Sequence, residues 1–446
     1  MHTIQKSFLS TIFLVTFVAH LNPADASSNI SAVLPLTATA YGTTLTTVIK
    51  IGNQSFNLLP DTGSADLWVL QPDWECYRGH HTGSSVLVPQ GNCDYGNGTY
   101  TKTSTFTPHE DAWLGIHYGA GDVFGTLGFD SVQVGDIVIP RQEFGMANAT
   151  NGPADKYSEG IMGLGHQVLS MTHASNYSAT SALGLLSNTL WYETSLWSMV
   201  KQGMEPYFAF ALDRMPFDQE IGHGGYVSFG TLPPVAHSPD FVSIPVEITK
   251  TIPASFTNGT KKITEWTLTV QSVTWNGTTY SQSYQAVVDS GNFYFIVPSD
   301  LAKGINSAFS PPAIYEPDGP LGPLYSVQCN ATPPTDVGFQ LGGRMLSIDS
   351  SDLIYRDWSG KCYSTVAPTV PLAGIELFFL GDYFLRNVVA VFDFGSDEMR
   401  FAARINDSST FRAQPTSPLV ASAAFASRAD WLTFGLMCMV GIAALI

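Results

Sequence analysis

Basic side chains are scarce in this sequence. Lys and Arg together number 20 in 446 residues, against 37 Asp and Glu, for a formal net charge of −17. The few present do not cluster, which excludes a polyanion-binding surface and with it nucleic acid as a partner. Charge of either sign is thin, at 13%, while 44% of residues are hydrophobic, so the composition is globular and not disordered. Cysteine is rare too, with 5 in the chain. Neither the His80-His81 pair nor any Cys/His set has metal-ligand spacing, and no glycine-rich stretch reads as a phosphate loop. Neither a metal nor a cofactor is therefore expected. Also missing is an apolar run of the roughly 20 residues that a membrane-spanning helix needs.

The apolar runs that do occur sit at the two ends. Phe8 to Ala19 follows a weakly basic start and precedes Ala24-Asp25-Ala26, the layout of a signal peptide over residues 1–26. Export agrees with nine Asn-X-Ser/Thr sequons, at Asn29, Asn53, Asn97, Asn148, Asn176, Asn258, Asn276, Asn330 and Asn406. At the other end, residues 431–446 are an uncharged tail of 16 residues, preceded by the small residues Ala421, Ser422, Ala423 and Ala424. This is the pattern of a GPI-attachment signal, with a Ser/Thr/Pro-rich stalk over 405–430. The reading places the protein in the secretory pathway and then at the cell surface, held to plasma membrane or wall by the lipid. Setting aside Cys438 in the tail leaves Cys76, Cys93, Cys329 and Cys362, which allow three pairings. Proximity favours Cys76–Cys93 and Cys329–Cys362, and an exported chain favours bridges over free thiols.

Between the ends, the length exceeds one ordinary core, so two lobes are expected. Apolar alternation in "TTLTTVIKIG", "TLGFDSVQVGDIVI" and "WTLTVQSVTW", punctuated by Gly and Asn-Gly, predicts mostly antiparallel β structure. Helical spacing is confined to about 183–197 and 299–309. One event occurs twice. "FNLLPDTGSADLWVL" (56–70) and "YQAVVDSGNFYFIV" (284–297) both run apolar strand, Asp, hydroxyl residue, Gly, then apolar strand. Each has a downstream echo of two apolar residues and a glycine, Ile161-Met162-Gly163 and Phe379-Leu380-Gly381, 102 residues after Asp61 to Gly163 and 92 after Asp289 to Gly381. An Asp at the end of a buried strand, followed by a Gly turn, meets freed backbone N–H groups and a hydroxyl. A carboxylate so bonded stays ionised while poorly solvated. Two of them meeting between lobes share one proton, which makes one a base and the other an acid.

Taken in order, these motifs resemble the pepsin-like aspartic proteases, over about Tyr41 to Arg404, and in particular their secreted, GPI-anchored fungal members. "DTGSADLWV" resembles the first active-site loop and "HYGAGDVFGTLGFDSVQVG" the flap. "SEGIMGLG" resembles the segment closing the first lobe, "VVDSGN" the second active-site loop, and "LGDYFLRNVVAVFDF" the close of the second lobe. The resemblance implies an all-β bilobal fold with a few short helices and a cleft between lobes at 41–235 and 236–404. It implies a monomeric endopeptidase acting on proteins and peptides at acidic pH. Asp61 and Asp289 stand at the dyad positions. Gly63 and Gly291 complete the turns, Ser64 would bond Asp61, and Thr62 and Ser290 would brace the loops from beneath. Tyr118 would tip the flap with its hydroxyl on Trp68, Gly119 and Asp122 would bond the substrate backbone, and Ile161 would line an apolar pocket before the cut. Basic-site cleavage through Asp122 is the competing specificity.

Three positions depart from the family pattern. Asn292 replaces a Thr or Ser whose hydroxyl would bond the second aspartate. Pro60 removes an N–H from a buried strand. Ala120 replaces a common flap Thr. The alternative reading these leave open is a weak or inactive relative serving as a surface binding protein. Residues 27–40 read as a short segment ahead of the fold without a Lys or Arg to pair with the dyad, so a self-inhibiting prosegment is not expected.

Overall fold

The computed structural model describes residues 30–78, 85–119, 121–152, 154–178, 185, 188–257, 259–319, 322–369 and 375–405. The expected signal peptide, all of the stalk after residue 405, the apolar tail, His80-His81 and Ala120 lie outside these.

Strands dominate, and their order explains how one short motif can occur twice. In the first half Gln54–Asp61 runs antiparallel to Thr44–Ile51 and parallel to Gly160–Gly163, which in turn pairs antiparallel with Leu67–Arg78. In the second half Tyr284–Val288 runs antiparallel to Thr267–Trp275 and parallel to Phe379–Leu380, which pairs antiparallel with Phe295–Val297. The two echoes seen in the sequence are thus the strands that slot between the arms of each Asp turn. Their glycines are required by close approach. A Cβ on Gly163 would lie 2.3 Å from the Ala65 carbonyl carbon, and one on Gly381 2.3 Å from the Asn292 carbonyl oxygen.

The lobes are joined by a shared sheet. Ala32–Thr39 pairs with Gly222–Phe229, which pairs with Tyr207–Leu212, which pairs with Val388–Asp393 from the end of the chain, followed by Glu398–Ala403 and Val242–Pro245. The expected division near residue 235 therefore falls between strands of one sheet. The segment placed ahead of the fold, residues 27–40, contains that sheet's strand Ala32–Thr39. Its Ala32, Leu34, Leu36 and Ala38 alternate into the core, a two-residue period that the interposed Pro35 obscured. Aromatic contacts seal the junction, with the Phe208 and Phe392 rings stacked at 4.9 Å.

Helices are short. Ser299–Ser307 lies where the spacing predicted it. The expected helical stretch over 183–197 is interrupted: Leu185 is helical, Thr189–Leu190 is a strand and the helix Ser195–Lys201 follows, while residues 183, 184, 186 and 187 lie outside the described ones. In Ser195–Lys201, Leu196 and Met199 fill the core and Trp197 is exposed. Both bridges form as proximity favoured, Cys76–Cys93 and Cys329–Cys362, one in each half.

Candidate active site

The two Asp turns meet at the lobe junction. Asp61 and Asp289 are both 0% exposed. Each accepts a bond from the N–H two residues on, Gly63 to Asp61 and Gly291 to Asp289, both 2.9 Å from Oδ1. Beneath them Thr62 and Ser290 brace the turns reciprocally. Thr62 Oγ1 donates to the Val288 carbonyl (2.9 Å) and accepts from the Ser290 N–H (2.9 Å). Ser290 Oγ donates to the Pro60 carbonyl (2.7 Å) and accepts from the Thr62 N–H (3.1 Å). Pro60 fits because pairing with Thr44–Ile51 ends at Leu58, so its missing N–H takes nothing from that ladder, while its carbonyl anchors the opposite turn.

The symmetry stops at the outer oxygens. Ser64 Oγ donates to Asp61 Oδ2. The side chain of the corresponding Asn292 gives the Asp289 carboxyl nothing: its Nδ2 donates to the Tyr294 carbonyl and its Oδ1 accepts from the Tyr294 N–H, both at 3.1 Å. Asp289 Oδ2 accepts from no donor among the described residues. Burial raises Asp61, but by less than Asp289, because bonds from Ser64, Gly63 and Asp289 oppose it. Asp289 is pushed well above the ordinary carboxyl range, first by burial and next by the charge of Asp61. The pair titrates as a unit, and its last proton is held on the Asp289 side.

Over the turns stands the hairpin Thr107–Tyr118 and Gly121–Val134. Tyr118, the last strand residue before the turn, is buried and accepts from Trp68 Nε1 at 2.9 Å; its hydroxyl also lies against Ser64. Gly119 is exposed at the tip, and Gly121 has φ 154°, where a Cβ would lie 2.6 Å from Asn151 Oδ1. Ile161 is buried beside Trp68 in the ladder. Asp122 is placed differently from the expectation that it faces substrate. It is 3% exposed, its carboxylate is turned onto His117 Nδ1, and its N–H donates to Asn151 Oδ1. The two residues are cross-strand partners in the hairpin stem, which explains the pairing.

Three further buried acids ring the site, of which Glu265 alone lies outside the motifs. Asp66, the second aspartate of "DTGSADLWV", accepts from Ser170 Oγ (3.0 Å) and the Met171 N–H (2.8 Å), and burial raises it to about 6. Asp382, at the start of the helix Asp382–Leu385, and Glu265, just before Thr267–Trp275, are also raised well above the ordinary range by burial, and both feel the charge of Asp61.

A buried carboxyl pair held by two related turns, under a hairpin bearing a tyrosine, at the junction of two β lobes is the arrangement of an aspartic protease. The sequence model of the eukaryotic aspartyl protease family matches residues 44–404, and the chain belongs to that family. It is 31% identical over 379 residues to the "Probable aspartic-type endopeptidase" of Aspergillus fumigatus, covering 82% of this chain and 80% of that protein. Pepsin A of Callithrix jacchus is 27% identical over 354 residues, covering 78% and 77%. The crystal structure of an aspartic proteinase from Irpex lacteus superposes with a TM-score of 0.65 at 21% identity, over 85% of this chain and 99% of that one. The fold is the bilobal pepsin-like one, and the protein is an aspartic-type endopeptidase.

Proposed function

We propose that Asp61 and Asp289 are the catalytic dyad and that the enzyme cleaves proteins and peptides at acidic pH. The observation that carries this is the unequal bonding of the two carboxyls within one braced, buried pair. Asp61, with donors on both oxygens, is the base. It takes a proton from a water held between the carboxyls as that water's oxygen attacks the scissile carbonyl carbon. Asp289, which holds its proton, donates it to the carbonyl oxygen, giving a neutral gem-diol. Proton transfer to the amide nitrogen then breaks the C–N bond and releases acid and amine. Burial keeps one proton on the pair at a pH where exposed carboxyls have lost theirs. Tyr118 closes over the substrate with Gly119, and Ile161 makes the pocket before the cut apolar. Acid proteolysis blocked by pepstatin tests the reading; a well-folded protein without it supports a non-catalytic surface role.

The same reading takes the enzyme through the secretory pathway to a GPI anchor at the cell surface, as a monomer. The six sequon asparagines among the described residues, Asn53, Asn97, Asn148, Asn176, Asn276 and Asn330, are all exposed, which supports glycosylation. Among the described residues no helix is long and apolar enough to cross a membrane. Release of the protein from intact cells by phospholipase tests the anchor; release by detergent alone, with Cys438 retained, indicates a spanning tail.

A further inference from the structure

Glu265 is the acid in this site whose presence the dyad does not explain. It is 1% exposed, as buried as the dyad itself, and neither Oε1 nor Oε2 has a hydrogen-bond partner among the described residues. Its place in the fold puts it beside the chemistry. The antiparallel register Leu268↔Ala286, Thr267↔Val287 is extended by the Val288 N–H, which donates to the Trp266 carbonyl at 2.9 Å. Glu265 follows one residue on, where its carbonyl turns back to accept from the Thr267 N–H at 2.8 Å, so it lies at the Asp289 end of this strand pair. The charges it feels are those of Asp289 and Asp61.

Among the described residues no cation balances it. His166, whose ring packs on Trp266 at 4.6 Å, is driven neutral by burial, down to about 4. Arg386 acts on Asp382 and donates to the Gly42 carbonyl. A buried carboxyl serving structure alone is normally given donors; this one has none, and it stands in a cluster of like charge. The group that fits it is a cation with several N–H donors, which bonds both oxygens and draws the raised carboxyl into its ionised form. Asp122, a further acid near the cleft, already has His117.

We propose that Glu265 is a specificity-determining residue that takes a basic side chain, Lys or Arg, at the substrate residue following the cut. This rests on the dyad reading and on Tyr118 and Ile161 holding the residue before the cut, since Glu265 lies in the other lobe.

The test compares kcat/KM for matched peptides carrying Lys, Arg or norleucine after the cut, using the full chain as wild type, Glu265→Gln and Glu265→Leu, with Asp289→Asn alongside. Wild type favours the basic peptides by about tenfold, the scale of one charged hydrogen bond. In both Glu265 variants that ratio falls towards one through loss on the basic peptides. Absence of basic preference in wild type overturns the proposal whatever the variants do, so it stands tested even if they fail to fold. An unchanged ratio in Glu265→Gln overturns it as well. Failure of the underlying reading shows separately, as Asp289→Asn that still cleaves.

Discussion

Asn292 folds its amide back onto Tyr294, bonding that residue's N–H and carbonyl at 3.1 Å each, and so leaves Asp289 with one donor where Asp61 has two. Restoring a hydroxyl should therefore move the pH profile. In Asn292→Thr a new donor to Asp289 stabilises its ionised form, lowers its pKa and pulls the alkaline limb of kcat/KM down by about half to one pH unit. A pH–rate profile of the variant checks this. A limb that stays in place shows that the outer oxygen of Asp289 does not govern it.

The brace beneath the dyad makes a second expectation. Thr62→Val keeps the shape but removes one donor and one acceptor, leaving the Ser290 N–H and the Val288 carbonyl without their partner. The loss should be about 2–4 kcal/mol by urea unfolding, with a fall in kcat larger than any change in KM because the two turns lose register. Ser290→Ala should behave alike.

Stability should depend on pH in an unusual direction. Asp66 is raised from 3.8 to about 6, chiefly by burial. The folded protein then binds more protons than the unfolded chain between about pH 4 and 6, so this contribution is fully present below pH 4 and lost as pH rises through 6. For Asp66 alone a rise of that size is worth on the order of 3 kcal/mol. Melting temperatures should be higher near pH 4 than near pH 7, and Asp66→Asn should flatten part of the slope. A melting temperature that climbs from pH 4 to 7 contradicts this.

Much of this architecture was legible because it is repeated. The Asp turns, their echoes and the glycines at 163 and 381 recur in the same order, and a repeat of strand, turn and glycine specifies topology as well as secondary structure. Gly163→Ala and Gly381→Ala should each abolish soluble folded protein, since a Cβ would meet backbone at 2.3 Å in both places. Recovery of either variant with near wild-type melting would show that the echo strands can shift.

What the sequence hid is equally physical. Ala32–Thr39 was missed because strand membership depends on a partner, Gly222–Phe229, almost 200 residues away. Asp122 looked available because a flap position says nothing of the cross-strand His117. Glu265 carries no motif; its proximity to Asp289 arises from register between two strands, which no local pattern encodes.

The central claim is that Asp61 and Asp289 together perform the hydrolysis. The most direct measurement is kcat/KM at acidic pH for Asp61→Asn and Asp289→Asn, each with its melting temperature. The account predicts a loss of at least about a thousandfold in both variants with the fold retained, since the dyad acts as one unit. Either variant cleaving within about tenfold of wild type, while folded, would contradict it.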